Sequence, residues 1–137
     1  MFSIGGYPDG CNEIRITENF YTIAKSRFDH LNKLPTPTSI LAPELKRELI
    51  DSLNEIRVPE WKRKYENNDV CDGTQWELEV RYNNRKTSKI VIGSNEYPYV
   101  SHDGQNEIKS KILDQEPDFM KLLAVLNKIA KKKNYFY

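Results

Sequence analysis

The two histidines are the side chains best suited to acid–base chemistry near neutral pH, because an unperturbed imidazole titrates there. They stand in the pairs Asp29-His30 and His102-Asp103. A catalytic pair needs the carboxylate and the imidazole in contact across space, and adjacency along the chain does not provide that contact. Both pairs fall in segments predicted as surface loops. The pattern therefore favours exposed loop histidines, with an enzyme that uses His30 or His102 as the alternative.

Acidic side chains offer a second arrangement that could do chemistry. Glu77 and Glu79 are two residues apart in a predicted strand, so they project from the same face. Paired carboxylates of this kind can divide the roles of acid and base in hydrolysis, but the solvated face of a sheet carries the same pattern. Asp69 and Asp72 only faintly resemble a calcium loop, which requires a bidentate Glu further along. We therefore predict no catalytic residue.

Motifs that hold a metal or a phosphorylated cofactor are missing from the sequence. Neither a His-x-x-x-His nor a Cys-x-x-Cys spacing gathers zinc ligands. Gly5-Gly6 and Gly10 lie in a predicted hairpin, with no following helix to present its amino terminus to a phosphate. The sequence also contains no P-loop, no dinucleotide fingerprint and no nucleophile elbow. We therefore expect no metal and no cofactor, and the absence of these motifs argues against an enzyme.

Cysteine usage and the absence of apolar runs suggest a cytoplasmic protein. Cys11 and Cys71 lie far apart and are typical of reduced thiols in the cytosol, with a disulfide between them as the alternative. The first residues lack the basic and apolar regions of a signal peptide. No apolar run approaches the roughly 18 residues that span a bilayer. We expect a cytoplasmic location and no membrane partner.

The balance of charge argues against a protein built mainly to bind phosphate backbones. The chain has 21 basic and 20 acidic residues and a net charge of +1, whereas such proteins are usually strongly basic. Only the end is basic, with Lys128, Lys131, Lys132 and Lys133 before the aromatic tail at 134–137. The preferred interpretation is that these lysines are favoured by the negative end of a helix dipole. The alternative is that this segment binds nucleic acid.

For the aromatic tail, the default prediction is that it docks onto the sheet.

The first third of the chain is predicted to be a β-meander. Residues 2–4 and 13–16 alternate apolar and polar side chains, which is typical of half-buried strands. Between them, Tyr7-Pro8-Asp9-Gly10 favours a turn, because Pro presets φ and Gly accepts a positive φ. A third strand is predicted over 20–24. The proline-rich segment 29–43 then forms a connector.

Pro43 suits the first turn of a helix, which should end before Pro59. Its apolar residues recur every three or four positions and form one stripe: Leu45, Leu49, Leu53 and Ile56. Trp61 and Tyr65, four residues apart, predict a further helical turn with both rings on one side.

The clearest strand carries Trp76, Leu78, Val80 and Tyr82 on one face, and a return strand is predicted over 89–92. A polar loop over 101–106 and a short helix over 107–113 follow, and Pro117 begins a final helix with a wide apolar face. The order predicts an α+β fold. We expect an antiparallel sheet of four to five strands, arranged as β-meander, helix, β-hairpin and helix, with the helices packed on one face.

Composition is compatible with a single domain over residues 1–137. Apolar residues make up 38% of the chain, below the usual share of about 45–50%. Eight Tyr, five Phe and two Trp compensate, because each large ring buries roughly 150–250 Å². The chain is therefore expected to fold rather than to be disordered.

Two motifs frame the predicted hairpin: Asp72-Gly73-Thr74-Gln75-Trp76-Glu77-Leu78 before it and Gly93-Ser94-Asn95-Glu96-Tyr97-Pro98 after it. Over 43–130 the chain resembles small uncharacterised bacterial α+β domains that pair such motifs and close with an amphipathic helix. Those domains are similar to immunity proteins of toxin systems, which act by binding, so the resemblance implies binding and no catalytic residues. The sequence departs from that pattern in an insertion-like loop over 99–116.

The motif residues also have a structural interpretation. Gly73 permits a tight turn, and Trp76 anchors the strand beneath the helices. Gly93 and Asn95 allow a positive φ at the exit, and Pro98 stops the ladder of hydrogen bonds. These roles predict a scaffold that holds the following loop in place.

The leading hypothesis is a small cytosolic protein, of immunity or other inhibitory type, that binds a protein partner. Functional residues concentrate on long loops and aromatic side chains anchor interfaces. The predicted contact residues are Tyr97, Tyr99, His102 and Asp103.

Overall fold

The described residues form nine strands and two α-helices around one hydrophobic core. The structure is a computed structural model and describes residues 1–6, 10–26, 39–71, 73–82, 87–100, 108–111 and 117–136. The elements are β1 (Phe2–Gly6), β2 (Gly10–Ile16), β3 (Phe20–Ser26), β4 (Ser39–Ile40), α1 (Pro43–Glu55), β5 (Lys64–Glu66), β6 (Gln75–Tyr82), β7 (Thr87–Ser94), β8 (Tyr97–Val100), β9 (Ile108–Lys111) and α2 (Pro117–Ala130).

Seven strands form one sheet in the order β4-β3-β2-β1-β6-β7-β5, and β8 and β9 form a separate pair. Strand β1 joins the amino-terminal meander to the β6–β7 hairpin, because Phe2 is opposite Ile14 on one side and Leu78 on the other. Neighbours are antiparallel except β5, which is parallel to β7. The predicted α+β class with a mainly antiparallel sheet is confirmed, but the sheet has more than four to five strands.

The segment around Trp61 and Tyr65 corrects one prediction. A short 3₁₀ turn at Val58–Glu60 and strand β5 replace the expected helical turn. Both rings are nevertheless buried on the same side, with centroids 6.3 Å and 6.1 Å from that of Trp76. The Trp61 indole N–H donates to the Ile56 carbonyl oxygen at 2.7 Å, which fixes the ring in this position.

Strands β8 and β9 correct a second prediction. They pair with each other and occupy part of the insertion-like loop expected over 99–116, and β9 also replaces part of the short helix expected over 107–113. The polar loop predicted over 101–106 lies outside the described residues. Pro98 lies within β8 opposite Ser110, so it does not end the pairing. A two-stranded ribbon has free edges, where the missing N–H of a proline is tolerated.

The seven-stranded sheet has two different faces, because side chains alternate along each strand. Its covered face carries the buried residues Phe2, Ile4, Ile14, Trp76, Leu78 and Val91. Its opposite face, called the open face below, carries Ser3, Cys11, Glu13, Arg15, Phe20, Ile40, Glu77, Glu79, Arg81, Ile90 and Ile92.

Helix α2 packs on the covered face, where Phe119 lies with its ring centroid 4.9 Å from that of Trp76. Helix α1 packs against α2. Two ion pairs link the helices, Lys121 to Glu55 at 2.5 Å and Lys128 to Glu48 at 2.6 Å. As predicted, Pro43 lies in the first turn of α1 and Pro117 begins α2.

The tail after α2 docks back onto the core, as the aromatic sequence predicts. Phe136 is fully buried, and its ring meets Phe2 edge-on with the centroids 5.5 Å apart. The Tyr135 hydroxyl donates to the Ala24 carbonyl oxygen at 2.7 Å, and the Asn12 amide donates to the Tyr135 carbonyl oxygen at 2.7 Å. The tail therefore ties α2 to β2 and β3.

Lys131 allows this return by adopting a left-handed conformation with φ of 54°. Its N–H donates to Lys128 O, and that of Lys132 donates to Asn127 O, each at 3.2 Å. This is the Schellman arrangement, in which glycine is the usual left-handed residue because a Cβ is unfavourable there.

Replacing Lys131 with glycine is expected to raise the free energy of unfolding by about 0.5–1 kcal/mol, because the left-handed strain disappears. Urea unfolding measures the change. Lys133→Gly is the matched control, since Lys133 is an exposed lysine two residues later that does not have a positive φ. If Lys131→Gly is no more stable than Lys133→Gly, the left-handed conformation at 131 is contradicted.

Candidate functional site

The predicted contact residues fall in different environments. Tyr97 lies in the core with 3% of its surface exposed, and its ring stacks on Trp76 and contacts Phe119. Because β8 runs beneath α2, Tyr97 is not on a surface that a partner can reach, and this corrects its expected role. Tyr99 belongs to β8, and its side chain lies outside the described part of the structure. His102 and Asp103 also lie outside the described residues, so all three stay predictions.

The described residues contain little that could act as a catalyst. No group of three or more His, Cys, Asp or Glu side chains among them could hold a metal ion. Cys11 and Cys71 are both free thiols. Burial raises the pKa of the Cys11 thiol, and the nearby Glu13 carboxylate raises it further, so this thiol is not activated as a nucleophile. His30 lies outside the described residues.

The motif residues around the hairpin have structural roles in the core. The Trp76 indole N–H donates to the Glu96 carbonyl oxygen at 2.9 Å, and its ring packs against four other aromatic rings. Asn95 has a φ of 57°, as predicted. Gly93 does not have a positive φ; instead, its missing side chain makes room for the Trp76 ring, which a Cβ there would overlap.

The centre of the open face is charged. Glu13, Ser3 and Glu77 lie directly opposite one another on β2, β1 and β6. Arg15 forms an ion pair with Glu13, which is almost fully buried, and Arg81 forms one with Glu79 at 2.8 Å. The predicted placement of Glu77 and Glu79 on one face is confirmed by the register of β6.

Exposed apolar side chains flank this charged centre. On β7, Ile90 and Ile92 are 48% and 40% exposed and lie opposite Glu79 and Glu77. On the other flank, Phe20 and Ile40 are 43% and 75% exposed and lie opposite one another on β3 and β4. Large apolar side chains grouped on one surface are typical of a contact with another molecule.

Sequence reasoning missed these apolar residues, although one signal pointed to them. The run Ile90-Val91-Ile92 places apolar side chains on both faces of β7, whereas a strand with one solvated face alternates apolar and polar residues. Phe20 and Ile40 gave no such signal, because their pairing depends on the fold of the whole meander.

The carboxy-terminal lysines form a different surface. Lys128 is paired with Glu48, and Lys131, Lys132 and Lys133 are exposed. The Lys132 ammonium lies 4.8 Å from the centre of the Tyr135 ring, and Phe136 is buried. The described aromatic rings of the tail are thus engaged within the protein and do not form a platform on which bases could stack.

Comparison of the chain with protein-family models, with curated proteins and with solved structures finds no match. The resemblance to immunity-type domains thus rests on the two motifs alone. No helix in the described part of the chain is long and apolar enough to cross a membrane.

Proposed function

We propose that this protein is a binding module of immunity or other inhibitory type, and that it recognises a protein partner through the open face. The observation that carries the proposal is the set of exposed apolar side chains on a sheet face whose opposite face is already packed: Phe20, Ile40, Ile90 and Ile92. Protein interfaces combine apolar contacts with polar and charged groups, as the apolar flanks and the charged centre of this face do.

The open face is large enough to form a protein interface of ordinary size. Strands in a sheet are about 4.8 Å apart, so seven strands give a surface about 30 Å across. Specific interfaces bury about 800 Å² on each partner, which is within reach of a sheet of this width.

The charges of the open face favour a protein over a nucleic acid. The centre of this face carries both signs of charge. The acidic residues are Glu13, Glu77 and Glu79, and the basic residues are Arg15 and Arg81. Binding to a phosphate backbone would instead require an excess of Lys and Arg. The proposed binding therefore depends on apolar contact and specific pairing of charges.

Purification from cells that make the protein tests the proposal. The wild-type chain is expected to enrich a partner that the double variant Ile90→Lys/Ile92→Lys does not, because the two lysines remove the apolar contact and bring charged groups into the interface. With the purified partner, calorimetry is expected to give a Kd at least about 100-fold weaker for the variant. An inhibitor also abolishes the activity of its partner at one equivalent.

Ile50→Lys is the matched control, since Ile50 is 48% exposed but lies on α1. It is expected to change the Kd by less than about twofold. A partner that the double variant binds as tightly as the wild type would contradict the proposed role of the open face.

A further inference from the structure

Glu77 differs from the other carboxylates at the centre of the open face. Its side chain is half-buried between Ser3 on β1 and Ile92 on β7. Glu13 and Glu79 each pair with an arginine of their own strand. Among the described residues, no ion pair or hydrogen bond reaches the Glu77 carboxylate. Glu77 is thus a carboxylate that no described residue pairs with, and it lies beside exposed apolar side chains.

A molecule that covers this surface must compensate the charge. Removing a carboxylate from water is strongly unfavourable unless a cation and hydrogen-bond donors replace the solvent. An occupant that buries Ile90 and Ile92 also covers Glu77, because Ile92 lies directly opposite it. The occupant must therefore bring a positive charge to this position.

A second copy of the chain does not meet this requirement well. Within the described part of the chain, the arginines of the open face are already paired, Arg15 with Glu13 and Arg81 with Glu79, and the Met1 ammonium group beside them donates to the Glu79 carbonyl oxygen at 2.9 Å. Face-to-face packing of two copies would bring two Glu77 carboxylates into one interface and no additional cation. The charge pattern thus favours a different protein over self-association.

We propose that the partner of the open face is a protein that presents an arginine or lysine to Glu77 and apolar side chains to Ile90 and Ile92. This inference rests on the proposed function and specifies the chemistry of the partner surface. Arginine fits best, since its planar guanidinium can donate two parallel hydrogen bonds to one carboxylate.

A display library of random cyclic peptides provides a defined probe. The library is selected on the full-length wild-type chain and counter-selected on Ile90→Lys/Ile92→Lys, so that the retained peptides bind the open face. These peptides are expected to be enriched in Arg or Lys next to apolar residues. Glu77→Gln is expected to weaken their binding at least 10-fold, while Glu44→Gln, an exposed position on α1, leaves the Kd unchanged within about twofold.

A reversed charge gives the complementary test. Selection on Glu77→Lys is expected to enrich Asp or Glu at the position where the wild type enriches a basic residue. Circular dichroism establishes that each variant is folded, so that a loss of binding can be attributed to the changed charge at position 77.

The outcomes separate this inference from the proposed function. Open-face peptides without basic residues, peptides insensitive to Glu77→Gln, or a selection that yields no open-face peptides would overturn the role of Glu77. None of these results bears on the native partner, whose purification decides the proposed function. A wild-type dimer in light scattering that Ile90→Lys/Ile92→Lys dissociates would overturn both, because a second copy would then occupy the face.

Discussion

Replacing Gly93 with alanine is expected to destabilise the protein by about 3 kcal/mol, at the upper end of the usual cost of overpacking a core. The added Cβ would overlap the Nε1, Cε2 and Cζ2 atoms of the Trp76 indole. The indole has little room to move, since Tyr65 and Tyr97 stack on it at 6.1 Å and 6.2 Å and its N–H is bonded to Glu96. Urea unfolding followed by tryptophan fluorescence measures the loss.

A double-mutant cycle shows whether the indole is the obstacle. In a Trp76→Phe background the smaller ring leaves space, so Gly93→Ala is expected to cost at least about 1 kcal/mol less than in the wild type. Equal costs in the two backgrounds would mean that the glycine is needed for another reason.

Truncating Phe136 to alanine is expected to destabilise the protein by about 3–4 kcal/mol, the usual cost of removing a fully buried phenylalanine. The ring packs edge-on against Phe2, and the Phe136 N–H donates to the Asn127 side-chain oxygen at 2.7 Å. Thermal or urea unfolding reports the change.

Lys133→Ala is the matched control for the tail, since Lys133 is exposed three residues earlier. It is expected to change stability by less than about 0.5 kcal/mol. If Phe136→Ala proves as mild as Lys133→Ala, the tail is not docked, and its aromatic side chains become available to a nucleic acid.

The long periodic elements could be predicted from the sequence. The alternation around Phe2 and Ile14, the helical spacing after Pro43 and the strand that begins near Trp76 each repeat often enough to specify an element. The class of the fold follows from their order. The missed strands are those with the weakest signal: β4 has two residues, β5 has three, β8 contains a proline, and β9 has only four residues.

The candidate site could be predicted only in part. The shared face of Glu77 and Glu79 follows from the period of a strand alone. The burial of Tyr97 could not be predicted in this way, because the residue alternation of β8 is the same whether that strand lies beneath α2 or at the surface. Likewise, the exposure of Ile90 depends on which face the helices cover, and only the tertiary packing decides that.

The position of β1 at the centre of the sheet has a consequence for the order of synthesis. Strand β1 pairs with β2, and β2 pairs with β3, so these three strands can associate as soon as they are synthesised. Its second neighbour, β6, lies in the other half of the chain. Pairing over such a separation is slow, so the nascent meander exposes one free strand edge, a site prone to aggregation, until β6 is synthesised.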